Sequence, residues 1–129
     1  GGTVTGGIIK SATANQPTKK LSLELGGKNP GIVFPDADLK KFIKDIGRSC
    51  FQNSGQICLC SSRYFVHKDI INEFLSELTL YARGLVLGDS LDKNTTMGPV
   101  VSKQHYEKIK SYIELAVRNG HKIVCGETV

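Results

Sequence analysis

Leu21, Leu23 and Leu25 alternate with polar partners across Lys20-Leu21-Ser22-Leu23-Glu24-Leu25, which is the two-residue period of a half-buried strand. Gly26-Gly27 breaks that run, and Gly31-Ile32-Val33-Phe34, bounded by Pro30 and Pro35, gives a second short strand. The period then lengthens. Leu39, Phe42, Ile43, Ile46 and Cys50 fall on one helical stripe behind Asp36 or Asp38 as cap. Ile70, Ile71, Phe74, Leu75, Leu78, Ala82 and Leu85 form a second stripe, stopped near Gly84. Ser102 caps a third, which runs through His105, Ile109, Tyr112, Ile113, Ala116 and Val117 and stops at Gly120. Tyr64-Phe65-Val66 and Lys122-Ile123-Val124-Cys125 read as strands following the first and third helices. Strand, helix, strand, helix, helix, strand predicts an α/β domain with a largely parallel sheet.

Two peptides carry chemistry beyond this pattern. In Leu23-Glu24-Leu25-Gly26-Gly27-Lys28-Asn29-Pro30 an acid stands at the expected end of a strand, beside a glycine turn that a ligand or close backbone could approach. Burial beside Leu23 and Leu25 would suit Glu24 to general-base work. In Phe51-Gln52-Asn53-Ser54-Gly55-Gln56-Ile57-Cys58-Leu59-Cys60-Ser61-Ser62-Arg63 a thiol follows a glycine-containing loop. A free thiol is largely protonated at neutral pH, so a nucleophile needs a favourable field or a nearby base. On a bend, Cys58 would also have backbone N–H groups free for a developing oxyanion. Cys60 is the alternative nucleophile, facing the same side if the segment is extended, but it has no separate activator in the sequence.

Both peptides, in this order, resemble the two active-site signatures of the aldehyde dehydrogenase superfamily, and the resemblance extends through Pro35-Asp36-Ala37-Asp38-Leu39 and Met97-Gly98-Pro99. It implies the end of a Rossmann-type cofactor domain over residues 1–25 and the first part of a parallel-sheet catalytic domain over 26–129. It also implies Cys58 as nucleophile, in the Gly-Gln-x-Cys pattern, and Glu24 as the base that activates water for thioester hydrolysis. Cofactor contacts fall to Gly1, Gly2, Thr3, Gly6 and Leu25, with NAD as cofactor and NADP as its alternative. Gly2 stands where the family often has a serine, so a side-chain contact to phosphate is replaced by backbone contact at most. The stretch Leu21 to Pro30 with Ile57 to Arg63, above all Cys60-Ser61 behind the nucleophile, is most similar to the 2-aminomuconic and hydroxymuconic semialdehyde dehydrogenases. The implied partner is a small-molecule aldehyde and the implied assembly a homo-oligomer, dimer or tetramer. A non-enzymatic protein on the same fold, and an enzyme passing the thioester to coenzyme A, are the rival readings; retention of both Cys58 and Glu24 favours hydrolysis.

Composition narrows the rest. The 129 residues are 40% hydrophobic, enough for a modest core. The chain opens on Gly1 and has its only methionine at Met97, so it is expected to be a central stretch of a longer polypeptide, inactive alone. The net charge of +5 comes from 17 basic and 12 acidic residues whose lysines fall on the polar sides of amphipathic segments. That spread argues against nucleic acid, which would call for a basic stripe interleaved with aromatics. No apolar run is long enough for a membrane span, and Cys50, Cys58, Cys60 and Cys125 lack disulfide or metal spacing. Reduced thiols, no metal and a cytoplasmic setting are therefore expected, with Cys50 and Cys125 as packing thiols. His67, His105 and His121 have no thiol partner at a recognisable spacing. Arg63 is expected to tie the nucleophile loop to a carboxylate.

Overall fold

The computed structural model describes residues 1–126. Its elements, in chain order, are α1 (Thr3–Ala12), β1 (Asn29–Val33), α2 (Leu39–Phe51), a 3-10 turn (Gln52–Gly55), β2 (Ser61–Val66), α3 (Ile71–Arg83) and α4 (Lys103–Arg118). β1 and β2 pair in parallel. A parallel pair needs a long crossover, and α2 with the 3-10 turn supplies it.

The caps act as the sequence suggests. Asp38 accepts from the Lys41 N–H at 3.1 Å and starts α2, and Ser102 accepts from the His105 N–H at 3.1 Å and starts α4. Gly84 closes α3, and Gly120 follows α4 in the left-handed region at φ 80°.

One face of the sheet is covered. Val33, Leu39 and Phe74 are almost fully buried, with Tyr64, Val66, Ile46, Ile70 and Leu78 packed around them. Strand alternation places Val33 and its partner Val66 on this face and leaves Ile32 and its partner Phe65 exposed on the other. α2 and α3 pack closely because Gly47 has no side chain: a Cβ there would run into the Tyr81 ring. α1 and α4 stand apart, and α4 contributes no buried residue.

Two sequence expectations are corrected. Residues 20–25 and 122–125 are not strands; among the described residues they pair with nothing, and alternation specifies a face but cannot supply a partner. Thr3–Ala12 is a helix that the hydrophobic pattern did not mark, because its glycines and β-branched residues are poor helix formers.

Candidate active site

α2 ends at Phe51, and the chain turns sharply through Asn53 (φ 50°), Ser54 (φ 56°) and Gly55 (φ 73°), all in the left-handed region. Asn and Gly tolerate that conformation better than most residues; Ser54 is held there by its hydroxyl, which donates to the Gly98 carbonyl at 2.6 Å. Gln56 continues the tie. Its amide donates to the Asn53 carbonyl at 3.0 Å, and its side-chain oxygen accepts from the Val101 N–H at 3.0 Å.

The next four residues form a β-turn, closed by the Cys60 N–H donating to the Ile57 carbonyl at 2.9 Å. Cys58 occupies its second position and is exposed. The Ile57 carbonyl and the Cys58 N–H belong to one planar trans peptide, so a carbonyl turned into the bend points the N–H out of it. Among the described residues that N–H has no intrachain acceptor. An exposed thiol beside an outward, unspent donor can attack a carbonyl carbon while the donor receives the oxygen.

The turn is held from outside by the segment that follows Glu24. The Asn29 side-chain amide donates to the Cys58 carbonyl at 2.6 Å and to the Cys60 carbonyl at 3.3 Å. Arg63 donates through Nε and Nη2 to the Lys28 carbonyl, at 3.1 and 2.8 Å. This corrects the carboxylate expected for Arg63. The guanidinium also sits 5.8 Å from the Phe65 ring centroid.

The other thiols differ from Cys58. Cys60 is half-buried, with its sulfur 3.8 Å from the Gln52 carbonyl. Cys50 donates to the Tyr64 hydroxyl at 3.3 Å, and burial pushes its pKa up, with the Tyr64 contact acting in the opposite sense. Burial likewise raises the Tyr64 hydroxyl, and the bond from Cys50 adds to the rise.

Glu24 departs from expectation. It is exposed, and Leu21 and Leu23 remain 40% and 38% exposed, because no paired strand covers this stretch among the described residues. Its backbone is nevertheless placed against the chain's first residues. A Cβ on Gly1 would lie 3.2 Å from the Glu24 carbonyl oxygen, and one on Gly6 would lie 2.8 Å from Leu25 Cδ2. Gly1, Gly6, Glu24 and Leu25 therefore meet, and the missing Cβ at Gly6 leaves the Leu25 methyl room against α1. Gly2 caps α1 without a side-chain bond, Thr3 opens the helix, and its first turn holds no acid. The space a side chain would take at Gly2 is open. A helix start with free N–H groups, open backbone and no competing carboxylate suits a phosphate group.

No hydrogen bond joins Glu24 to Cys58 among the described residues; the Asn29 and Arg63 contacts link their segments instead. Asn29 escaped the sequence reading because nothing in its spacing signals a bond across 29 residues. His105, set aside in that reading, lines an open groove with Asn53, Ser54, Gln56, Pro99, Val101 and Ile109. Among the described residues no helix is long and apolar enough to cross a membrane.

Residues 1–129 match the aldehyde dehydrogenase family. The chain is 46% identical to the 2-aminomuconic semialdehyde dehydrogenase of Bos taurus, covering 92% of the chain and 27% of that protein. It is 44% identical to the 2-hydroxymuconic semialdehyde dehydrogenase of a Pseudomonas species, covering 98% and 26%. The fold superposes on the NAD+ complex of an aldehyde dehydrogenase from Bacillus cereus with a TM-score of 0.92 at 38% identity, over 98% of this chain and 26% of that one. The chain thus spans about a quarter of the length of the curated relatives it matches.

Proposed function

The chain belongs to the aldehyde dehydrogenase family, and from that premise we propose that it supplies the nucleophile and the general base of an enzyme oxidising an aldehyde to a carboxylic acid. The observation that carries this reading is the exposed Cys58 turn with its outward N–H, set within a family match that runs the length of the chain. The Cys58 thiolate attacks the aldehyde carbon, a C–S bond forms, and the oxygen takes up the electron pair beside the Cys58 N–H. A nicotinamide cofactor held at the start of α1 would supply the hydride acceptor, so that loss of hydride from that carbon leaves Cys58 carrying a thioester. Glu24 removes a proton from water as the water adds to the thioester, and collapse releases the acid and restores the thiolate.

Residues 1–25 serve the cofactor domain in this reading and 26–129 the catalytic domain. Gly1, Gly2 and Thr3 offer backbone to the pyrophosphate, while Gly6, whose N–H is bonded to the Gly2 carbonyl, serves that site by letting Leu25 pack against the helix. NAD is favoured by the Bacillus cereus complex. A muconic semialdehyde is favoured as substrate by the names of the two relatives, and the reading extends to a homo-oligomer acting in the cytoplasm.

Rapid mixing of the whole protein with NAD and an aldehyde tests the assignment of roles. Glu24→Gln is expected to give a burst of NADH near one per site and then stall, whereas Cys58→Ala gives none. A Glu24→Gln protein with unaltered steady-state hydrolysis would remove the base assignment. Turnover that requires coenzyme A would replace water as the acceptor.

A further inference from the structure

The geometry points to Asn29 as a positioning residue that holds the Cys58 turn in its attacking form; this rests on the reading of Cys58 as nucleophile given above. Three observations meet at this side chain. Its amide group bridges the carbonyls of Cys58 and Cys60, at 2.6 and 3.3 Å, and so grips the β-turn on both sides of Leu59. Its position is fixed in turn, because the Lys28 carbonyl that receives both Arg63 bonds belongs to the peptide leading into Asn29. The strand register also shifts here: Asn29 pairs with Ser61 but Pro30 with Arg63, so β2 advances two residues while β1 advances one. A register irregularity of this kind re-aims side chains beside it, and Pro30, which cannot donate to a ladder, occupies the step.

The two bonds divide the work on the turn. Cys60 N–H to Ile57 orients the peptide that carries the Cys58 N–H, and Asn29 orients the next peptide, which carries the Cys58 carbonyl. With the peptides on both sides of the Cys58 Cα fixed, its φ and ψ are fixed, and the thiol and its oxyanion donor keep one relative geometry. Asn29 also begins five residues after Glu24, so the same side chain joins the base's segment to the nucleophile's.

Asn29→Asp tests this in the whole protein, since the shape is retained while both donors become acceptors facing two carbonyls. Two rates are read: alkylation of Cys58 by iodoacetamide, and the NADH burst. Both are expected to fall at least about tenfold, with NAD affinity and melting temperature near the parent values and the loss appearing in kcat rather than KM. Asn29→Ser, which keeps one donor, should recover part of each rate. Parent-like alkylation and burst in Asn29→Asp would overturn the proposal. So would a loss that runs in step with melting temperature and NAD affinity and is not relieved in Asn29→Ser, since that marks a purely structural residue. If the parent protein itself gives no burst with any aldehyde, the dehydrogenase reading fails while the alkylation rates still decide whether Asn29 controls Cys58.

Discussion

The proposed nucleophile and the proposed base are only 34 residues apart in sequence, Glu24 to Cys58, yet they are held in opposite ways. Cys58 lies in a turn closed by its own backbone, gripped by Asn29 and preceded by a loop tied to Gly98 and Val101. Glu24 lies in a stretch with no regular backbone pairing, exposed, and anchored chiefly where Leu25 meets Gly6. The thiol's geometry is thus built from local and neighbouring contacts. The acid's depends on one packing contact and on whatever else lies against that stretch. Such a division suits the two roles, since attack needs a fixed atom whereas a base acting through water needs reach.

Gly6→Val puts the largest strain on this contrast. A branched side chain at Gly6 would collide with Leu25 and pry α1 from the acid's segment. Overpacking of this kind costs about 1–3 kcal/mol, and NAD affinity and thioester hydrolysis are expected to fall by roughly 5- to 150-fold while Cys58 alkylation stays at the parent rate. Isothermal titration with NAD and the alkylation assay together check it; equal losses in both would mean the two regions are not separately held. Gly6→Ala should do less, because the Leu25 methyl can rotate away.

Thiol selectivity gives a smaller effect. Limiting iodoacetamide with peptide mapping should label exposed Cys58 several-fold faster than Cys50, whose half-buried thiol bonds Tyr64 and has a raised pKa. Preferential labelling of Cys50 would reverse the roles assigned to the two environments.

The smallest effect is in pH. Cys50 binds its proton more tightly folded than unfolded, so its contribution to stability is intact below the ordinary thiol value of 9.0 and is lost as pH rises through the raised folded value. Melting temperature should therefore decline above about pH 9, and less steeply in Cys50→Ala. An unchanged slope would remove Cys50 as a cause.

Much of this was legible in the sequence where a local rule and a tertiary contact agree. α2, α3 and α4 follow their apolar stripes, and Asp38 and Ser102 cap where the pattern places them. β1 and β2 are short apolar runs that found each other. Residues 20–25 show the limit: their alternation is a strand's, but a strand is a pairing, and pairing is not a property of one segment. α1 was hidden for the opposite reason, since glycines and β-branched residues mask a helix that packing on Leu25 supports. At the site, Cys58 was conspicuous by its neighbours, whereas Asn29 acts through bonds to backbone carbonyls that no residue type in the partner peptide announces.

The run of left-handed backbone at Asn53, Ser54 and Gly55 governs which residues can occupy these positions. Each L-residue there gives up about 1–2 kcal/mol against an ordinary conformation, less where a short polar side chain can bond locally. The alphabet open to positions 53 and 54 is accordingly set by handedness: glycine, asparagine and aspartate enter cheaply, and valine or isoleucine hardly at all. Handedness of the backbone thus restricts the peptide leading to the Cys58 thiol for a reason separate from any chemistry the thiol performs.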